Sequence, residues 1–280
     1  MSDVVAELGD SIFLNMWLLG FAFQRGLVPV TLPALERAVT MNGAQVDRNL
    51  LALALGRQAA VEGRAATEAA EESLDSLVAR CVEDLVGYQS AAYAKRYADF
   101  IAVVRDAEQG RVPGETRLTR SVAVQFHRLM AYKDEYEVAR LHRLPEWQAK
   151  VASMTTARTR IEMNLAPPLL SRHDPNTGLP RKRRFGPWVV SAMAMLQHGK
   201  VLRGTMLDPF GHTAERRLER DLIKEYQSTL TDMLMRLSPS SHATICEWAE
   251  AAAGIKGFGP IKARNIATVR ERWRQIAARL

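Results

Sequence analysis

The sequence predicts a mainly α-helical protein with at most a small strand element near residues 157–165. Two observations carry this. Ala, Leu and Arg dominate the composition, while aromatic residues make up only 7% and clusters of Val, Ile and Thr are few, a balance that favours helices over strands. Apolar residues also recur at three- and four-residue spacing through most of the chain, as in helices that bury one face. With 280 residues, 47% of them hydrophobic and 25% charged, the chain is long enough to bury a sizeable core.

Taken in order, residues 11–26 form an apolar helix ending near Gly26, and Pro29 marks a loop. Thr31 is an N-cap candidate with Pro33 in the first turn, Leu35 and Val39 lie on one face, and Asn42-Gly43 stops the helix. A helix from about Val46 to Arg64 places Leu50, Leu53 and Ala54 inward. Between Glu68 and Glu108, Leu74, Leu77, Cys81, Leu85, Tyr88, Phe100, Ile101 and Val104 keep helical spacing. One long helix, or two with a break near Gly87, accounts for them. Gly110–Gly114 closes that segment, and a charge-rich helix is expected from Arg120 to about Arg143.

Arg158–Leu165 alternates as a strand does, and Pro167-Pro168 ends it. Ser171–Arg184 is the clearest loop, since its Asp-Pro, Thr-Gly and Leu-Pro pairs oppose helix. Helix returns over Phe185–Val201. Thr213 then caps a helix with Leu218, Leu222, Tyr226, Leu230, Met233 and Leu237 on one face. The last helices span about Ser241–Ala253 and Pro260–Leu280, around a turn at Gly257–Gly259.

A net charge of +7 and a pI near 9.6 fit an acidic partner. Cys81 and Cys246 are far apart with no His or Cys at ligand spacing, so they cannot build a zinc or iron–sulfur site by themselves. Buried free thiols in a reducing cytoplasm are expected. The apolar stretch Ile12–Val30 is interrupted by Asn15, Gln24 and Arg25, too soon to span a bilayer. Asp3, Glu7 and Asp10 are unlike the basic start of a secretory signal. A soluble, cytoplasmic protein with no membrane partner is the expectation.

The polar constellations offer contacts rather than a self-sufficient active site. Arg181-Lys182-Arg183-Arg184, ahead of Phe185-Gly186-Pro187-Trp188, would grip a phosphate or an acidic surface. Lys133-Asp134-Glu135-Tyr136-Glu137 with Arg140 holds groups for acid–base work. On a continuous helix, however, Lys133 and Glu137 would simply pair at i,i+4. Arg203-Gly204-Thr205 and Asp208 through Arg217 form a polar turn leading into a helix whose first N–H groups would receive an anion. Alternatively, Asp208 and Glu215 pair with Arg203, Arg216 or Arg217, and His212 is a hydrogen-bonded loop residue. The candidate ligand or subunit contacts are therefore Lys133, Arg181, Lys182, Arg183, Arg203, Asp208, Arg216 and Arg217. No residue is assigned to catalysis, cofactor or metal. Ile255–Ala263 (IKGFGPIKA) matches a helix-hairpin-helix pattern, whose Gly-rich turn offers amides to a nucleic-acid phosphate. No dinucleotide fingerprint, P-loop, nucleophile elbow or Cys-x-x-Cys is present.

One series of segments runs in order through the chain. It begins with Gly9–Asn15, Leu19–Ala22, Gln24–Pro29, Leu35–Ala38 and Asn42-Gly43. Leu129–Leu141 follows, then Leu165–Leu170, Pro180–Lys182 and Phe185–Trp188. Leu202–Thr205, Asp208–Gly211, Thr213–Arg217 and Ile255–Gly259 with Lys262 complete the series. As a set these segments resemble the fused indolepyruvate ferredoxin oxidoreductases, the first group looking like the end of the γ-type domain. In that family the Gly-rich turn lies near the C-terminus, which makes nucleic acid the lesser alternative. The resemblance implies two parts: a helical remnant of the γ-type domain over residues 1–66, and an α-helical C-terminal extension over 67–280. The implied reaction is oxidative decarboxylation of aryl pyruvates to acyl-CoA with reduction of ferredoxin. Thiamine diphosphate, Mg²⁺ and iron–sulfur clusters serve it, bound by other parts of the enzyme. This chain is then expected to bind no cofactor itself. It would be an accessory region, supporting subunit association or covering the entrance for substrate or coenzyme A, in an oligomer that meets ferredoxin only indirectly.

Overall fold

A computed structural model of the chain describes residues 9–63, 72–154, 162–165 and 183–280. Among them are twelve α-helices and one two-stranded sheet, so the protein is mainly α with a small strand element. The backbone divides into two units, Met1–Glu72 and Ser73–Leu280. The boundary expected between residues 66 and 67 lies outside the described residues.

In the first unit, the Asp10 carboxylate accepts the Ile12 N–H at 3.0 Å and caps a 3-10 turn, Ser11–Phe13. Helices α1 (Leu14–Gln24), α2 (Leu32–Asn42) and α3 (Val46–Val61) follow. Helix α2 stops at Gly43, whose φ of 69° suits glycine. The side chain of Thr31 makes no capping bond, although it occupies the N-cap position as expected. Helices α1 and α3 approach closely because glycines face each other's backbone. A Cβ on Gly20 would fall 2.1 Å from the Leu53 carbonyl oxygen, and one on Gly56 would fall 1.9 Å from that of Trp17. This crossing buries Phe13, Trp17, Ala52 and Ala59. It also corrects the inward face of α3. Leu53 is buried as expected, but Ala54 is exposed and Leu50 only half-buried, because the face follows Gly56.

The second unit packs α4 (Leu74–Tyr88), α5 (Ala91–Arg111) and α6 (Arg117–Met130) with α10 (Ala214–Met235), α11 (His242–Ala251) and α12 (Gly259–Ala277) around one core. Gln89-Ser90 separates α4 from α5, the Ser90 hydroxyl capping Tyr93 N–H at 3.2 Å. A row of rings threads this core: Tyr97–Phe126, Phe126–Tyr226, Tyr226–Trp248 and Trp248–Trp273, with centroids 4.9–6.1 Å apart. Backbone carbonyls satisfy the polar atoms of three of these rings. Tyr97 donates to the Ala123 carbonyl, Tyr226 to that of Ala249 and Trp273 to that of Trp248, as buried polar atoms require.

The single helix expected over Arg120–Arg143 is two. Helix α6 ends at Met130 and α7 (Glu135–Leu141) begins after Asp134, whose carboxylate accepts the Glu137 N–H at 2.8 Å. Helix α8 (Pro145–Met154) follows, and then β1 (Met163–Leu165), which pairs antiparallel with β2 (Arg183–Phe185), Met163 opposite Phe185. Residues 158–161 of the expected strand lie outside the described residues, as do Pro167-Pro168 and the expected loop over 171–182. Arg183 and Arg184 belong to a strand rather than that loop, and Phe185 to the strand rather than the next helix. Pairing with Met163–Leu165 satisfies this short extended run. Helix α9 (Trp188–Leu196) continues into a 3-10 segment, Gln197–Leu202. No described helix is long and apolar enough to cross a membrane.

Candidate functional site

The break between α6 and α7 and the turn before α10 meet, and their polar side chains form one buried node. Arg203 lies at its centre. Its Nε donates to Asp134 Oδ2 at 2.5 Å, Nη2 to Asp134 Oδ1 at 2.8 Å, and Nη1 to the Tyr88 carbonyl at 2.5 Å. The side chains of this ion pair are only 2% and 3% exposed. The guanidinium also stacks 3.6 Å from the Tyr88 ring centroid. Asp134 therefore neutralises Arg203 while capping α7, which explains why the chain breaks there. Both partners are fully committed, which makes the pair a fixed brace rather than a reactive group.

Asp208 is the second anchor. Its Oδ1 accepts the Tyr136 hydroxyl at 3.1 Å and the Phe210 N–H at 3.1 Å, while Oδ2 accepts the Gly204 N–H at 2.9 Å. Asp208 thus folds its own turn, and its expected pairing with an arginine is not formed. Burial, with Asp208 close by, raises the Tyr136 hydroxyl above its usual range; burial likewise raises Tyr88. Both phenols are held neutral as donors.

Arg216, on the first turn of α10, reaches Glu219 at 2.5 Å and Glu135 at 3.4 Å. Thr213 caps that helix by accepting the Arg216 N–H at 3.3 Å. One of the N–H groups expected to receive an anion is thus taken by the cap. Glu219 also takes Lys262. Burial raises the Glu135 carboxyl above its ordinary range, with Arg216 opposing, and Glu135 Oε2 is buried with no partner among the described atoms. A second network lies on the other side of α7. Arg140 binds Glu137 through two bonds of 2.8 Å and Asp84 at 2.7 Å, and His127 meets Asp84 at 3.0 Å. The His127 hydrogen bond, with burial opposing and Arg140 adding, draws Asp84 down to about 2.

Of the eight predicted contacts, the structure brings together Arg203, Asp208 and Arg216. Lys133 is exposed in the break, and Glu137 pairs with Arg140 instead of with it. Arg217 is exposed and donates to the His212 carbonyl at 3.0 Å. Arg183 is exposed on β2, and Arg181 and Lys182 lie outside the described residues. His212 is a hydrogen-bonded loop residue, 3.1 Å from the Met206 carbonyl. At the Gly-rich turn, Gly257 and Gly259 have φ of 95° and 53°. The Gly259 N–H already donates to Glu215 at 3.2 Å. Reading the sequence missed the contacts of Tyr88 with Arg203 and of Tyr136 with Asp208, and the capping role of Asp134. The Asp134-x-x-Glu137 spacing carried the signal for a helix start.

A separate buried trio joins α5, α6 and α11. Glu108 accepts the N–H groups of Leu118 and Thr119 at 2.8 Å and the Thr119 hydroxyl at 2.5 Å, and meets His242 Nε2 at 2.7 Å. Burial would raise Glu108, but these bonds outweigh it and hold the carboxyl low. Cys246 Sγ lies 3.6 Å from the same His242 nitrogen. Burial pushes its thiol up to about 12, the reverse of an activated nucleophile. Among the described residues no three of His, Cys, Asp and Glu converge as a metal-ligand set, and the two cysteines are too few for an iron–sulfur cluster of the usual four thiolates.

Comparison with curated proteins and with solved structures finds no match. A family model does match, over residues 74–275, which run from the first residue of α4 almost to the end of α12. The chain belongs to that family, described as a family of unknown function, DUF6537.

Proposed function

We propose that this chain is an accessory or C-terminal part of an indolepyruvate-type 2-oxoacid:ferredoxin oxidoreductase and is not catalytic alone. The complete enzyme would decarboxylate aryl pyruvates oxidatively to acyl-CoA and reduce ferredoxin, using thiamine diphosphate, Mg²⁺ and iron–sulfur clusters held on other parts. One observation supports this above the rest. Leu129–Leu141 and the run that holds Leu202–Thr205, Asp208–Gly211 and Thr213–Arg217, which carry the resemblance, are far apart in sequence yet supply residues of one buried node. Their buried polar groups hold one another, as a scaffold requires.

Affinity capture of the tagged chain from its native cells tests the reading. Thiamine-binding and iron–sulfur oxidoreductase chains are expected in the eluate. Stoichiometric thiamine diphosphate or iron on the isolated chain would sink the accessory role. At 255–263 the Gly259 N–H and Lys262 are engaged by Glu215 and Glu219, which leaves exposed Lys256 and Gly257 to serve the nucleic-acid alternative. Binding to duplex DNA at low salt that weakens on Gly257→Ala would favour it.

A further inference from the structure

A cavity of about 620 Å³ lies between α8, β1 and α9, apart from the buried node. That volume falls within the range of small-molecule pockets. Its walls are aliphatic and thioether: Val151, Leu165 and Val190, with Met163 and Met193. Thioethers adapt to flexible apolar shapes. The one ring contact in the wall, Trp147 against His142, is edge-on at 81° and 5.7 Å. It provides no pair of parallel faces to sandwich a flat ring, and a flexible chain fits this lining better.

The charges on the lining select the head group. Glu162 is paired with Arg184 at 3.3 Å. His142 is oriented by donating from Nδ1 to the Val138 carbonyl at 2.7 Å, since a carbonyl can only accept. Arg143 is exposed, and its side chain makes no ion pair or hydrogen bond among the described residues. The cavity therefore carries one uncompensated cation beside an apolar lining. The side-chain amides of Gln148 and Asn164 add neutral donors and acceptors.

We infer that this cavity is a binding site for a medium-chain aliphatic carboxylate, its chain against Val151, Leu165, Val190 and Met193 and its carboxylate on Arg143. A bidentate guanidinium–carboxylate contact is the strongest available to such a head group. The inference is independent of the oxidoreductase reading.

Equilibrium dialysis of the full chain against decanoate below its micellar concentration provides the test. One saturable equivalent per chain is expected, with decylammonium, of equal length and opposite charge, not retained. Arg143→Gln, at an exposed position, should weaken decanoate binding by about tenfold while leaving the helical circular-dichroism spectrum unchanged. Val151→Trp should abolish binding by filling the cavity; should that variant fail to fold, the Arg143→Gln result decides. Unsaturable uptake, equal retention of decylammonium, or wild-type affinity in Arg143→Gln would each overturn the proposal.

Discussion

At the scale of single residues, the node around Arg203 dictates the sharpest expectations. Removing one member of a buried ion pair strands the other charge and typically costs about 3–5 kcal/mol. Arg203→Met should therefore destabilise the second unit by roughly that amount, read as a lowered midpoint in denaturant unfolding. Glu135 behaves in the opposite sense. Its carboxyl is raised in the folded protein by burial, and Oε2 has no partner among the described atoms. The folded state thus resists ionising it. No penalty exists below the ordinary value of 4.5, where both states are protonated; it grows as pH rises through the raised folded value. Glu135→Gln should consequently raise the thermal midpoint at pH 7 and leave it unchanged below pH 4, since Arg216 retains Glu219. A lower midpoint at pH 7 would show that the Glu135–Arg216 pair outweighs the burial cost.

Elements in this protein are set by backbone approach and by caps as much as by periodicity. Helices α1 and α3 cross where Gly20 and Gly56 leave no room for a side chain. Gly56→Ala places a methyl on the Trp17 carbonyl and must force the helices apart, at a cost of about 1–3 kcal/mol. Trp17, 4% exposed in the packed pair, should then become accessible to acrylamide quenching; unchanged quenching would contradict the close crossing. The α6–α7 break has a different origin. Helical periodicity continues through Tyr132–Tyr136, but Asp134 gains more by capping α7 and binding Arg203 than by extending α6. That gain depends on a partner about seventy residues later, so local spacing alone predicted one helix.

For the whole molecule, the two units differ in what they can sustain. The core of Ser73–Leu280 joins residues of 77–132 and 222–276 in one cluster, while that of the first unit rests on Phe13, Trp17, Ala52 and Ala59. Small units bury a smaller share of their surface and are correspondingly marginal. A fragment spanning 73–280 should fold and unfold cooperatively, whereas one spanning 1–72 should show little cooperative structure. Circular dichroism on both fragments is the measurement. A cooperative 1–72 fragment would mean that its three helices need nothing further. The family match over 74–275 follows the larger unit.

What the sequence by itself determined is the helical class, most helix positions and the caps at Thr213 and Gly43, because these depend on composition, three-to-four-residue spacing and residues adjacent in the chain. Leu237 is buried beyond the helix end at Met235, whereas the Thr213 cap and the apolar face of α10 from Leu218 to Met233 stand as expected. So does His212 as a loop residue. Only the tertiary structure decided that Arg203 belongs to Asp134, that Asp208 folds its own turn with Tyr136 rather than binding an arginine, and that Ala54 faces outward. It also turned Arg183–Phe185 into a strand and left Lys133 and Arg217 at the surface. Those outcomes turn on which distant groups share a low-dielectric interior, where an unpaired charge is too costly to leave and each partner must be supplied by another part of the fold.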